Sequence, residues 1–384
     1  MSSIDLAGQY RSEFPIFEKL TYINSCSQGA LAVSVKAAFT TYLTTLEEQG
    51  SAWNDWVTQQ ELVRGLTAQL LNAKPEEIAL TTSASAGVNS LATSLDFSGK
   101  RNKIVTTENE FPTMGQIWHA QESRGAKVVH IENRADLTVD TEALINEIDE
   151  ETLLVAITHV CYRNGARTDI QPIIEAAHKM GALVILDTYQ TIGAISIDVS
   201  EIDADFIVGG FLKYMIAVPG VGFLYAREKS TNHLIPTSTG WFAARDLFAM
   251  DIHSYDPAKE ARRFETGTPN VPPLYPASAA LEFMLKVGVK NIESYVAQIH
   301  DELRSGIIEI GGNVVTPGGK NQHGALLAVA SLDEHAHVAA LEGLGIVTSS
   351  RGGNVRISPH FYNNQDDVAK VVAGFAKTKE FLRK

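Results

Sequence analysis

Cysteine is almost absent. The 384-residue chain has two, Cys26 and Cys161, so no disulfide framework is implied. No Cys/His cluster falls at metal-ligand spacing. Positive charge is also in deficit: 32 Lys and Arg face 45 Asp and Glu, for a net charge of −13. Such a field disfavours nucleic acid and anionic membranes, while leaving room for a local positive pocket. No apolar run reaches transmembrane length. The opening residues Met1-Ser2-Ser3-Ile4-Asp5 lack the charged and apolar regions of a secretory signal. No G-x-G-x-x-G follows an early strand, which counts against a nucleotide-binding Rossmann enzyme. Repeats and low-complexity tracts are missing too. A cytoplasmic enzyme is the expectation.

What is present is ordinary globular composition, 45% hydrophobic and 20% charged. The length fits a large α/β domain with a smaller companion. Short apolar runs bounded by turn residues predict strands near 22–25, 78–82, 103–107, 127–131 and 152–159. Helical spacing falls between them, near 34–48, 53–73, 83–95, 140–149 and 169–182. Trp53 and Trp56 sit at that spacing as packing anchors, and Trp118 and His119 read as packing as well. The alternation of strand and helix from about 78 to 225 predicts a mainly parallel sheet. Later helices are expected at 274–287, 289–311 and 334–344, with a strand at 324–331 and a short one on which Arg356 alternates with Val355 and Ile357.

The chain is organised around residues 183–225. One apolar run ends in Asp187, with Gln190 three residues on. A second, Asp205 to Gly210, leads to Lys213. A Pro219-Gly220 turn then feeds a third, Val221 to Tyr225. In open α/β sheets, ligands bind beyond the carboxyl ends of strands. An acid and a lysine placed there suit pyridoxal phosphate (PLP): the lysine forms a Schiff base and the acid keeps the pyridine nitrogen protonated. The plainer alternative is a solvated loop lysine and an acid that caps a helix. Against it, Lys213 lies among Phe211, Leu212, Tyr214, Met215 and Ile216, a setting that would desolvate the amine and lower its pKa. Upstream, the small residues Ser83-Ala84-Ser85-Ala86-Gly87 open a helix. That turn is either a phosphate cradle or a plain serine N-cap.

The run Asp187-x-x-Gln190, Lys213 and Pro219-Gly220-Val221-Gly222-Phe223-Leu224-Tyr225 resembles the class V aminotransferase family of fold-type I PLP enzymes. That group includes cysteine desulfurases, kynureninases and isopenicillin N epimerase-like proteins. The resemblance implies a large PLP-binding domain with a mainly parallel, seven-stranded-type sheet flanked by helices, and a smaller α+β C-terminal domain. It implies an N-terminal segment 1–20 packed near the small domain, a large domain 21–270 and a small domain 271–384. By the same match Lys213 is the Schiff-base lysine and catalytic base. Asp187 pairs with the ring nitrogen and Gln190 with the phenolic oxygen. Ala84 and Ser85 bind phosphate, Phe111 stacks on the ring, and Arg356 clamps the substrate α-carboxylate. Thr268, in Gly267-Thr268-Pro269, would reach the phosphate of a neighbouring subunit, which implies a homodimer with shared active sites.

The departures matter as much. Desulfurases place an asparagine near Tyr162, and a serine and a histidine where this chain has Gly210 and Leu212, so phosphate binding must lean on other donors. They also need a cysteine on a C-terminal loop; here Ser349-Ser350-Arg351-Gly352 stands in that region, and persulfide-forming desulfurase is disfavoured unless Cys26 substitutes. Cys26 reads as a buried small residue or a pocket-lining one. Arg163 and Arg167 are either substrate partners or structural salt bridges. Phe111-Pro112-Thr113 is like kynureninases. The expected function is an aminotransferase acting on an amino acid, with a lyase or epimerase as alternatives. A degenerate PLP-fold binding protein is the non-enzymatic one.

Overall fold

The structure, a computed structural model, describes residues 5–319 and 321–383. The described strands are β1 (Thr21–Tyr22), β2 (Ile78–Thr81), β3 (Lys103–Thr107), β4 (Lys127–Ile131), β5 (Thr152–Thr158) and β6 (Leu183–Asp187). They continue with β7 (Phe206–Gly210), β8 (Gly222–Ala226), β9 (Leu327–Ala330), β10 (Ile346–Val347), β11 (Ser349–Arg351) and β12 (Asn354–Ile357). Seven form the central sheet in the order β2-β8-β7-β6-β5-β3-β4. Strand β8 pairs antiparallel with both neighbours, and all other pairings are parallel. The expectation of a mainly parallel α/β sheet flanked by helices therefore holds, with β8 as the exception.

Period-two alternation divides the core between the two faces of the sheet. In β5, Val155 and Ile157 join one hydrophobic cluster, while Leu154 and Ala156 join the other. Helices cover both faces, so the central strands read as near-continuous apolar runs. The helix expected over 169–182 spans Gln171–Lys179, because Pro172 occupies its first turn. Helix Val271–Val287 packs on helices Val33–Gln49 and Trp53–Leu71.

The C-terminal part is built on a second, antiparallel sheet, β11-β12-β9. The short strand expected at Val355–Ile357 is β12, and β10 and β11 precede it. Helix Val289–Glu309 turns Ile292 and Val296 into the first cluster, while its Ile299, Leu303 and Ile307 meet Val371 and Phe375 of helix Gln365–Lys377 in a third cluster. Strand β1 pairs with β10, and Asn24 bridges to Ser358, which fastens the early chain to this sheet. Arg11 donates to the fully buried Asp367 at 2.6 Å and to the Tyr362 carbonyl at 2.8 Å. No helix among the described residues is long and apolar enough to cross a membrane.

One buried ion pair fixes the edge of the sheet. Arg64 donates to Glu265 and to the Ile78 carbonyl, each at 2.6 Å, while Leu80 N–H and Gln60 Nε2 also donate to Glu265, each at 2.9 Å. This ties the loop ahead of Gly267 to β2. Removing one partner leaves the other charge buried without compensation. We expect Glu265→Ala to cost about 3 kcal/mol. The exposed Arg245–Asp256 pair is the control, and Asp256→Ala should cost less than about 1 kcal/mol. Urea midpoints at constant slope would check both.

Candidate active site

Four parallel strands end at one edge of the sheet, at Thr107, Thr158, Asp187 and Gly210. The edge opens into a cavity of about 270 Å³ lined by Ser83, Ala84, Ser85, Phe111, Tyr162, Asp187, Tyr189, Gln190 and Lys213. Asp187 is buried, and its Oδ1 accepts the Tyr189 N–H at 2.8 Å. Lys213 is half-buried. Its Nζ lies 4.4 Å from the Tyr189 ring centroid and 5.8 Å from that of Phe111. Burial pushes the amine down to about 8, Asp187 and Cys26 oppose the shift, and Arg356 and Arg351 add to it. Burial likewise raises Asp187, against the Tyr189 N–H and Lys213.

The sequence-derived residues are distributed as follows. Ala84 and Ser85 begin helix Ala84–Ser94, so their N–H groups have no intrahelical acceptor. The Ser83 hydroxyl caps the Ala86 N–H at 3.1 Å, and the Ser85 hydroxyl meets that of Thr113 at 3.2 Å. Phe111 is exposed on the cavity wall, edge-on to Tyr162 at 5.0 Å between centroids. Gln190 donates through Nε2 to the Cys26 carbonyl at 3.0 Å, and its buried Oε1 has no partner. Arg356 is buried. It donates to the Tyr162 carbonyl at 2.9 Å and to the hydroxyls of Ser349 and Ser27 at 3.0 and 3.2 Å, and its Nε is unpartnered. No carboxylate among the described residues pairs with it.

Two candidates stand elsewhere. Thr268 is exposed in a separate recess beside Ala86 and Gly220. Arg167 lines a different cleft and its Nε donates to His159 Nε2 at 3.2 Å. Arg163 turns to the Glu108 carbonyl and to Asn109. In another cleft, His300, Asp301 and His323 bring ligand-type atoms within 4.8 Å of one another. Their imidazoles are stacked at 4.0 Å and 13°, so the ring lone pairs run side by side and do not converge on a tetrahedral ion.

Two residues escaped the sequence reading. Glu110 is buried behind Asp187 and accepts from Thr107 Oγ1 and the Thr158 N–H, each at 2.8 Å; its Oε2 is unpartnered. Burial, reinforced by Asp187, pushes it up to about 8. Its only sequence signal is its place just before Phe111. Tyr189 lies between Asp187 and Gln190 but carried no periodic pattern.

A parallel sheet with an acid and a desolvated lysine at its carboxyl edge defines a fold-type I PLP-dependent enzyme. Residues 35–371 match the family model described as "Aminotransferase class-V", and the chain belongs to that family. It is 34% identical over 369 residues to the "uncharacterized aminotransferase YcbU" of Bacillus subtilis (strain 168), covering 96% of each chain. It is 28% identical to a kynureninase of Bacillus mycoides (strain KBAB4), covering 98% of this chain and 93% of that one. Its fold matches the cysteine desulfurase of Thermococcus onnurineus NA1 with a TM-score of 0.89 at 23% identity, covering 99% of this chain and 100% of that one. Pyridoxal 5'-phosphate is its cofactor. The cleft fits that group: an amine free of ion pairing faces an acid, and a Cβ on Gly222 would stand 2.7 Å from the Ser83 carbonyl carbon and 2.8 Å from Ala84 N. Glycine there keeps the cradle open.

Two outcomes are expected. In cofactor-free protein, acylation of Lys213, read by peptide mass, should rise with pH to a midpoint near 8, the value to which burial pushes the amine. Asp187→Asn should move that midpoint lower, because the carboxylate is what favours the charged amine. For Glu110, the ordinary carboxyl value is 4.5 and the folded value about 8. Between them the folded chain holds a proton that the unfolded chain has released, so stability falls as pH rises through this window. Glu110→Gln should remove that slope, and its melting temperature should gain on the wild type from pH 5 to pH 8.

Proposed function

We propose that the chain is a homodimeric aminotransferase acting on an L-amino acid. The observation that carries the reading is Arg356, a buried guanidinium with no carboxylate partner, near enough to Lys213 to lower its amine. A buried cation without an anion is costly, and a substrate α-carboxylate meets the planar fork in two parallel bonds.

Bound PLP supplies a conjugated ring that draws electrons from the substrate Cα. The chain's residues do the rest. Lys213 attaches the cofactor and, once released, takes the Cα proton; its lowered amine is suited to a base near neutral pH. Asp187 holds the proton of the ring nitrogen, and Glu110 behind it, raised to about 8 by burial and by Asp187, keeps its own proton near neutral pH and leaves the negative charge on Asp187. Phe111 covers the ring face. Gln190 keeps one Nε2 hydrogen for the phenolic oxygen while the other bonds Cys26. The N–H groups of Ala84 and Ser85 and the Ser85 hydroxyl bind phosphate at the helix N-terminus.

Thr268 serves the partner's site in this reading. Its place outside the lining of the chain's own cavity supports that role, as do the exposed large apolar side chains Leu43, Trp53, Leu62, Phe248 and Ile252. The division into segment 1–20, large domain 21–270 and small domain 271–384 belongs to the same proposal. So does a cytoplasmic location, which two free cysteines support.

A lyase is the second reading, favoured by Phe111-Pro112-Thr113 and by the kynureninase relatives. A persulfide-forming desulfurase is not favoured, since Cys26 and Cys161 are both buried. The test is the visible spectrum of the purified protein with a panel of L-amino acids and no keto acid. Stoichiometric conversion to the amine form of the cofactor is expected. A spectrum that recovers while product accumulates would replace the transfer reading with lyase or epimerase chemistry. Arg356→Gln should raise KM by roughly 10- to 100-fold through loss of charged hydrogen bonds.

A further inference from the structure

We propose that the Tyr189 hydroxyl is a donor to the cofactor's phosphate, and that residue 210 is glycine to admit it. This rests on the PLP reading above and adds a residue to it.

Gly210 and Gly222 pair directly across β7 and β8. Directly opposed residues of an antiparallel pair project to the same face. That face is the one on which Val208, two residues before Gly210, lines the cavity. A Cβ on Gly210 would lie 2.7 Å from both Cε2 and the hydroxyl of Tyr189. A Cβ on Gly222 would meet the Ser83–Ala84 backbone at 2.7 and 2.8 Å. The paired glycines therefore let Tyr189 and the Ser83–Ala84 turn pack close against one stretch of β7 and β8, and Tyr189, Ser83 and Ala84 all line one recess. A phenol hydroxyl bounds it on one side and the start of a helix on the other.

The chemistry of the recess is one-sided. Lys213 is the single cation among the lining residues, and it is committed to the cofactor's aldehyde end. A phosphate dianion there depends on N–H and O–H donors. The Tyr189 hydroxyl makes no hydrogen bond to another described residue. Burial, with Asp187 adding, pushes the phenol up to about 12, so it keeps its proton and can donate. Its ring is held in place: the Lys213 Nζ lies over one face at 4.4 Å, and the residue's own N–H is tied to Asp187. A proton-carrying role toward Lys213 fits less well, because the amine faces the ring and not the hydroxyl edge.

The experiment compares two aldehydes that differ only in the phosphate. Cofactor-free protein is titrated with PLP and, separately, with pyridoxal, following the visible chromophore of the bound form. Tyr189→Phe should weaken PLP roughly 10- to 100-fold, the range for a hydrogen bond to a charged group. Pyridoxal affinity should stay within about threefold, since a lost neutral contact is worth little here. Tyr189→Ala should weaken PLP further, and Tyr189→Ala with Gly210→Ser, which returns a hydroxyl to the vacated space, should recover much of it. Circular dichroism and melting confirm that each variant folds. If Tyr189→Phe binds PLP as the wild type does, or loses both aldehydes equally, the donor role is overturned while the PLP reading stands. If the double variant is no better than Tyr189→Ala, the role given to Gly210 is overturned. If the wild type forms no chromophore with PLP, the PLP reading itself fails.

Discussion

The centre of this protein must hold a lysine and a carboxylate in one dry cleft without letting them close on each other. A tight ion pair would keep the amine charged and useless as a nucleophile. The fold prevents it by giving each group another neighbour. Asp187 accepts the Tyr189 N–H, and the Lys213 amine lies over the rings of Tyr189 and Phe111. Asp187 still favours the charged amine at a distance, yet burial outweighs it and the amine settles near 8. The same burial raises Asp187. Each group is left ready to meet a ligand instead of its counterpart.

That constraint explains the arrangement around it. Parallel strands β3, β5, β6 and β7 bring their carboxyl ends to one edge, and their burial on both faces keeps bulk water from the cleft floor. Strand β8 runs against them, so Gly222 at its start stands beside Gly210 at the end of β7. Reversal of this one strand puts the helix N-terminus at Ala84 on the same recess as the lysine loop. Arg356 enters from the second sheet, on β12, and reaches the Tyr162 carbonyl. The two sheets thus meet at the cleft, one contributing the amine and the acid and the other the guanidinium.

Much of this was legible in the chain. The strands were visible because doubly covered strands are unbroken apolar runs, and β3 and β4 fall at the expected residues. Asp187 and Lys213 stood out because each follows such a run. Three things were not legible, each for a physical reason. Arg167 shares a loop with Arg163, but the turn after Gly165 sends it to His159 and another cleft. Glu110 looks like one of several acids in a polar loop. Its burial depends on Thr107 and Thr158, which come from two different strands. Tyr189 sits on a turn, where side-chain direction follows local hydrogen bonds and not period two. The helix ends moved by a few residues, as at Pro172, where propensity and capping decide.

The turn after β6 does more than its length suggests. Asp187, Tyr189 and Gln190 all line the cleft within four residues. The bond from the Tyr189 N–H to Asp187 Oδ1 locks the first step of that turn, and the bond from Gln190 to the Cys26 carbonyl anchors its end to the early chain. In the proposed reading, this one short, doubly tied turn serves the ring nitrogen, the phenolic side and, through the Tyr189 phenol, the phosphate. A serine at position 210 would supply a donor from the strand itself, independent of the turn. Placing the donor on Tyr189, as proposed, would couple phosphate and ring nitrogen through one rigid element. A shift in that turn must then alter both contacts together, which a strand-borne hydroxyl would not do.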